Sequence, residues 1–341
     1  MELFWLPFEV IAAFLGLALG IALLVFSSSK AGEHSISLAT ALGASPFIIG
    51  ILLVSIGTDL PEIANSITSS VLGHGNINVG DSLGSILTQM TVVIGLASFV
   101  GGTLRSRDRR MIVIIGATGV LALFFFVSMT EKGYISRLDG ILLVSSWPIF
   151  MLISRYVTQC CSDLEVCMLR EKSGLDKGVV EKTVSQLKQG VDRGQLYHLT
   201  VAILGFSGVA IGAHFSVMSV ITLSASFHIP EYLISFFVLG FGTSLPEIMI
   251  DLWAARRKYY DLLLGDVIGS CIVDATLSIG IGPIFSPIKI WGNMAKTTGV
   301  YTIFAFFMIF LMLSLRMKLD KKMGVLSIVL YTLSFVIFYV M

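Results

Sequence analysis

The sequence predicts an all-α membrane protein of about ten transmembrane helices, arranged as two inverted five-helix repeats with Pro-broken helices at mid-membrane. Three observations predict it: an apolar composition, a series of apolar runs of spanning length, and a linked pair of acidic motifs that occurs twice at constant spacing. Hydrophobic residues make up 55% of the 341 and charged ones 13%, with a mean hydropathy of +0.89. A soluble domain would carry roughly a quarter charged residues, so water is not the main solvent of this chain.

The charges gather in short stretches between apolar runs of about 20 residues, the length a helix needs to cross a hydrocarbon core of roughly 30 Å. In chain order the runs are 7–27, 36–57, 79–100, 111–128 and 139–154, then 199–218, 230–254, 262–285, 297–315 and 323–341. The expected organisation is a first five-helix repeat over 1–154, a linker over 155–198 and a second repeat over 199–341. Met1-Glu2-Leu3-Phe4 puts no Lys or Arg ahead of the first run, so it lacks the basic start of a secretory signal and reads as a retained helix.

Cytoplasmic loops keep Lys and Arg while translocated loops lose them. Lys30, the group Arg105, Arg107, Arg109 and Arg110, the group Arg256, Arg257 and Lys258, and the group Arg316, Lys318, Lys321 and Lys322 all fall in odd-numbered connections. The linker holds seven more Lys and Arg, and only Lys132, Arg137, Lys289 and Lys296 fall in even-numbered connections. Both termini are therefore expected outside, the linker in the cytoplasm and the chain multi-pass in the cell membrane. The linker mixes charges from Asp163 and Glu165 through Lys188 and Arg193 and has no Asp-rich calcium loop, so a plain connector is expected over a regulatory ion site. Cys160, Cys161 and Cys167 lie in that reducing compartment and Cys271 inside an apolar run, which implies neither a disulfide framework nor a zinc site.

The repeat is carried by two linked matches. Gly57-Thr58-Asp59-Leu60-Pro61-Glu62-Ile63 answers Gly242-Thr243-Ser244-Leu245-Pro246-Glu247-Ile248, and Gly80-Asp81-Ser82-Leu83-Gly84-Ser85 answers Gly265-Asp266-Val267-Ile268-Gly269-Ser270. Both pairs stand the same 185 residues apart. With an odd number of crossings per half, the second copy enters the membrane from the opposite side, so the repeats are expected to be inverted.

Carboxylates at bilayer depth cost about 2.5 to 3.5 kcal/mol on insertion scales, so Glu62 and Glu247 need compensation, which a bound cation would give. The proline of each motif lacks an N–H and crowds the carbonyl four residues earlier, which predicts a helix break near Gly57 and near Gly242 and frees carbonyl oxygens there. Thr58 and Glu62, Thr243 and Glu247, Ser85 and Gln89, and Ser270 and Asp274 are each four apart, so each pair shares a helix face. Crossing the halves gathers Glu62, Gln89, Glu247 and Asp274 around one centre, with Thr58, Ser85, Thr243 and Ser270 a turn away. Such an all-oxygen cage, without Cys or His, suits a hard cation rather than zinc or copper. Packing kinks with an incidental Glu would not repeat at one spacing with a second polar residue downstream.

At these residues the chain resembles the sodium/calcium exchanger family, within the cation/calcium antiporter superfamily, whose hallmark is two inverted repeats with G-T-S-x-P-E and G-[ND]-x-x-G-S motifs. The resemblance implies that Glu62 and Glu247 are shared ligands of calcium and sodium, completed by Asp274 and the amide of Gln89. It also implies flanking sodium sites at Thr58, Ser85, Thr243 and Ser270, joined by backbone carbonyls near Ser55 and Gly240. The sequence departs from the pattern at Asp59, where Ser is more frequent, at Gln89 for Asn, at Asp81 and Asp266 for Asn, and at Asp251 for Ser. These extra acids read as a vestibule relay, as groups that favour protons over sodium or, for Asp81 and Asp266, as charges at helix N-termini stabilised by the dipole. Gly16 and Gly20 in the first run and Gly208 and Gly212 in the sixth form G-x-x-x-G faces for close helix approach; in the resembling family these two helices slide across the ligand core.

The function expected is antiport of calcium against sodium, with calcium/proton exchange as the alternative and calcium, sodium and the bilayer as the only partners. No phosphate-binding loop occurs, so the energy comes from gradients and no cofactor is expected. An intramembrane aspartyl protease fails because Asn78 and Leu263 stand where its G-x-G-D motif needs glycine. A passive channel is less consistent with broken helices in duplicate.

Overall fold

In a computed structural model of the chain, the residues described are 8–41, 58–105, 109–153, 195–258 and 260–340. The architecture is all-helical. In the first half, α1 is Phe8–Ala41, α2 Leu60–Val71, α3 Gly75–Val100, α4 Arg109–Thr130 and α5 covers 137–153. In the second, α6 is Gln195–Phe227, α7 Glu231–Thr243 and α8 Leu245–Arg256. Next comes α9, Tyr260–Val273 continued through Asp274–Ser278 into Ile279–Phe285, then α10, Gly292–Arg316, and α11, Lys321–Val340. Among the described residues seven helices are long and apolar enough to cross a membrane, or eight if the bent pair α7–α8 counts as one span. The expected second span, 36–57, lies mostly outside the described residues, as does the linker up to residue 194.

Two-residue strands fasten the connections. β1, Leu104–Arg105, pairs antiparallel with β4, Lys318–Leu319, and β2, Tyr134–Ile135, pairs antiparallel with β3, Ile288–Lys289. Asp320 then caps α11, accepting the Met323 backbone N–H at 3.2 Å and the Arg316 guanidinium at 2.7 Å.

The helices sort by what surrounds them. α3 and α9 are innermost, with 83% of their spanning windows buried, whereas α1 has 33% and turns Phe14, Leu15 and Leu19 outward. In water such an apolar exterior would be costly; in lipid it is the expected solvent-facing side. The main core joins α3, α4 and α7 to α11 through fully buried Leu83, Ile86, Phe126, Phe236, Ile272 and Phe306.

Two boundaries differ from expectation. The sequence places a connection at 28–35, where Ser28, Ser29 and Lys30 follow the first apolar run, but α1 continues unbroken to Ala41. The polar residues are absorbed helically: Ser28 and Ser29 donate to Val25 O at 3.1 and 3.0 Å, Lys30 pairs with Glu33 at 2.9 Å, and the rings of His34 and His198 meet at 2.9 Å. Likewise α6 begins at Gln195 and ends at Phe227, so residues 195–198 belong to a helix rather than to the linker. At 1.5 Å per residue each of the two helices is about 50 Å long, well beyond the hydrocarbon core.

α1 and α6 pack on each other along a seam of small residues, as their glycine spacing predicts. A Cβ on Gly16 would stand 2.6 Å from Ser219 Oγ, one on Gly20 would meet Ser216 Oγ at 2.6 Å and Gly212 O at 3.0 Å, and one on Gly208 would collide with Ser27. Filling the seam forces the helices apart, at about 1 to 3 kcal/mol for an added side chain in a packed interface. If the seam slides during transport, Gly208→Leu will slow ion flux in proteoliposomes by roughly fivefold or more on that cost. An unchanged initial rate would leave the seam with a packing role alone.

Candidate cation site

Each motif proline sits at the start of a helix, where its missing N–H costs nothing. Pro61 lies in the first turn of α2 behind Asp59, whose backbone is at φ −83°, ψ 9°; Pro246 lies in the first turn of α8 behind Ser244 at φ −75°, ψ 3°. α7 and α8 meet across Ser244 at 47°. The breaks therefore fall at Asp59 and Ser244, two residues later than Gly57 and Gly242, because the helix restarts as soon as the proline supplies a helical φ. Glu62 and Glu247 occupy first turns, at the positive end of the helix dipole.

These two helix starts converge. One carboxylate oxygen from each of Asp59, Glu62 and Glu247 lies within 4.8 Å of the others, and all three residues are buried. Around them Ser85 Oγ donates to Glu62 at 3.3 Å and shares a hydrogen bond with Ser244 Oγ at 2.7 Å. The Gln89 amide donates to Ser85 Oγ at 3.3 Å and to Asp274 at 3.4 Å, and it accepts from Cys271 Sγ at 3.3 Å. Gln89 and Asp274 each open a π-helical turn, Gln89–Val93 in α3 and Asp274–Ser278 in α9. Such a turn bulges the backbone outward and recurs at functional sites.

Glycine lets the backbones cross at this depth. A Cβ on Gly84 would run into the Phe236 carbonyl, and one on Gly240 would come within 2.6 Å of Ser85 N and 2.8 Å of Asp81 O. Gly240 O accepts the Ser244 hydroxyl at 2.8 Å.

The electrostatics are one-sided. Both oxygens of Asp59, both of Glu247, Glu62 Oε2 and Asp274 Oδ1 are buried without a hydrogen-bond partner. Among the described residues the ion pairs sit elsewhere, such as Lys132–Asp139, Lys296–Glu131 and Arg316–Asp320. A buried carboxylate that lacks partners costs several kcal/mol, and several together also repel one another. Such a set is stable around positive charge, and its oxygens are those a hard cation binds.

The family model described as sodium/calcium exchanger protein matches residues 12–156 and 197–340. The chain belongs to the sodium/calcium exchanger protein family. It is thus an integral, multi-pass membrane protein of a cation/calcium antiporter family. An uncharacterised membrane protein of Methanocaldococcus jannaschii is 24% identical over 93% of this chain and 94% of its own length. The sodium/calcium exchanger MaX1 of Methanosarcina acetivorans is 27% identical over 81% of this chain and 84% of its own. In fold, the chain resembles a structure of the sodium-calcium exchanger NCX_Mj soaked with sodium and strontium, at TM-score 0.57 and 24% identity, over 96% of this chain and 98% of that one.

Within this exchanger, hydrogen bonds link Glu62, Ser85, Gln89 and Asp274, and Glu247 brings a carboxylate oxygen within 4.8 Å of Glu62. Thr243 is buried, and its hydroxyl, 3.2 Å from Asp81 Oδ1, acts on both Asp81 and Glu62. Ser270 is buried in α9, Thr58 is half-buried, and Ser55 lies outside the described residues. Asp81 is seven residues into α3, held by Asn65 at 3.0 Å as well as by Thr243, and so is no N-terminal charge. The residue that sequence reasoning left out of the cage is Asp59, together with Ser244, which stands at the same position in the second motif and hydrogen-bonds Ser85. The signal was their common position immediately before the Leu-Pro-Glu of each motif, which makes both the first residue outside a broken helix.

Proposed function

We propose that this exchanger is a secondary antiporter that moves calcium against sodium across the cell membrane by alternating access. Glu62, Glu247, Asp274 and Gln89 form the shared central site, joined by Asp59. Thr58, Ser85, Thr243, Ser270 and the carbonyls of Ser55 and Gly240 supply flanking sodium ligands. The observation that carries the reading is the convergence of Asp59, Glu62 and Glu247 from two separate helix starts, with most of their oxygens unpartnered. One divalent ion or several monovalent ions can neutralise that charge, and whichever is bound excludes the other. Competition of this kind couples the two flows.

In this reading the chain has ten spanning helices in two inverted repeats, 1–154 and 199–341, joined by a cytoplasmic linker over 155–198, with both termini outside. Pairs that are their own counterparts support it: Gln89 meets Asp274, and Cys271 donates towards Ile86 O, each across 185 residues. Residues that contact their own copy lie on a two-fold axis. The same offset carries Leu104 to Lys289 and Tyr134 to Leu319, so it exchanges the β1–β4 pair with the β2–β3 pair.

A second reading, with protons as counter-ion, is favoured by Asp59, which adds a titratable group where the second motif has Ser244. Proteoliposomes loaded with calcium and given separate sodium, potassium and proton gradients test both. Sodium alone is expected to drive calcium release; release driven by a pH gradient in sodium-free buffer, and not by sodium, would replace the first reading with the second.

A further inference from the structure

α8 and α9 are consecutive helices joined by a short turn, and two acids outside the central cage stand at one height on them, one on each helix. Asp251 is five residues before the end of α8 at Arg256, and Asp266 six after the start of α9 at Tyr260. At 1.5 Å per residue they stand about 8 and 9 Å from the turn, against about 14 Å for Glu247. Asp251 is 0% exposed, neither of its oxygens has a hydrogen-bond partner, and Oδ2 of Asp266 is also buried and unpartnered. Asp266 is the charged neighbour whose field acts on Asp251, and it acts on Asp59 and Glu247 of the cage as well.

The first half shows what this height looks like when it is satisfied from within. There Asp81 corresponds to Asp266, and it receives Asn65 Nδ2 at 3.0 Å and the Thr243 hydroxyl at 3.2 Å. Ser66 corresponds to Asp251 and Asn65 to Ile250. The second half has thus exchanged a hydroxyl for a carboxylate and a donor for an alkyl chain. Two carboxyl groups without donors are left where the first half has one hydrogen-bonded acid. No Lys, Arg or His pairs with either acid among the described residues. Asp266 is half-buried, and Asp251 sits one helical turn from Glu247 on the same face.

We infer that Asp251 and Asp266 form a second site for a hard divalent cation, distinct from the central cage and lying between it and the α8–α9 turn. Two carboxylates match the charge of one such ion, and the absence of sulfur or imidazole from the pair selects calcium-like ions over zinc. The inference rests on the exchange reading only in taking the cargo to be a hard cation. An ion held there waits one turn from the cage, on one side of the membrane only, since the first half has no equivalent pair.

Equilibrium binding of radioactive calcium to the purified, detergent-solubilised full chain tests it. The unmodified chain is expected to bind two calcium ions. The double variant Asp251→Asn with Asp266→Asn is expected to bind one, as is Asp251→Ser, which carries the residue that the first half tolerates at Ser66. Glu62→Gln is expected to remove the other ion and leave the one at Asp251 and Asp266. A chain whose stoichiometry is the same with and without the two aspartates overturns the second site, and so does a loss of both ions in both aspartate variants. Full binding in Glu62→Gln would instead count against the central cage, which keeps the two failures apart.

Discussion

Sodium-dependent calcium flux in proteoliposomes will be lost in Glu62→Gln and again in Glu247→Gln. Each substitution keeps the shape of the side chain and removes one charge from a cluster in which the ligand oxygens are within 4.8 Å of one another. A unit charge pair 4 Å apart is worth about 4 kcal/mol at an effective dielectric of 20. Relief of repulsion between the remaining acids returns part of that, and a net loss of about 3 kcal/mol already weakens binding roughly a hundredfold. On the proposed reading the effect on turnover is larger still, because each glutamate would serve both cargo ions: calcium loses a ligand, and the sodium that should displace it loses the same one. Measured flux that persists in both variants at saturating calcium would remove the cage from the transport cycle.

Asp59→Ser is the second informative change, since it copies into the first motif the residue of the second. Asp59 is wholly buried with neither oxygen partnered, so its charge acts on the cage rather than on a local hydrogen bond. Calcium affinity is expected to fall by roughly tenfold or more, the equivalent of about 1.4 kcal/mol or more. The counter-ion is read in the same experiment. If sodium drives exchange, the variant keeps sodium-driven flux at raised calcium; if protons do, the variant loses pH-driven flux and keeps calcium binding. An unchanged calcium affinity in the variant would place Asp59 outside the ligand set.

Much of this was legible before any coordinates. The membrane-spanning class followed from composition, and the nearness of Glu62, Gln89, Glu247 and Asp274 followed from repetition, because residues that recur at one offset in inverted halves meet about a common centre. What escaped was local and competitive. The stretch Ser27 to Lys30 has the polarity of a loop, yet hydroxyls that bond back along the helix and a partner helix carrying His198 keep α1 continuous. Asp59 was visible as a departure from a pattern, but its place beside Glu247 depends on two helix starts from distant halves of the chain meeting. No local spacing reports that. Asp81 and Asp266 look interchangeable in sequence, and only the donors around Asp81 separate a hydrogen-bonded acid from one with a buried oxygen left unpartnered.

The π-helical turns at Gln89 and Asp274 also carry history. Such a turn is an α-helical turn into which one more residue has been fitted, and the two stand at the spacing that relates the motifs. On the duplication reading a single insertion accounts for both, made in an ancestral gene before it was copied and fused. That ancestor would have paired with itself as a homodimer, its extra residue already pressing one polar side chain from each subunit towards the shared centre.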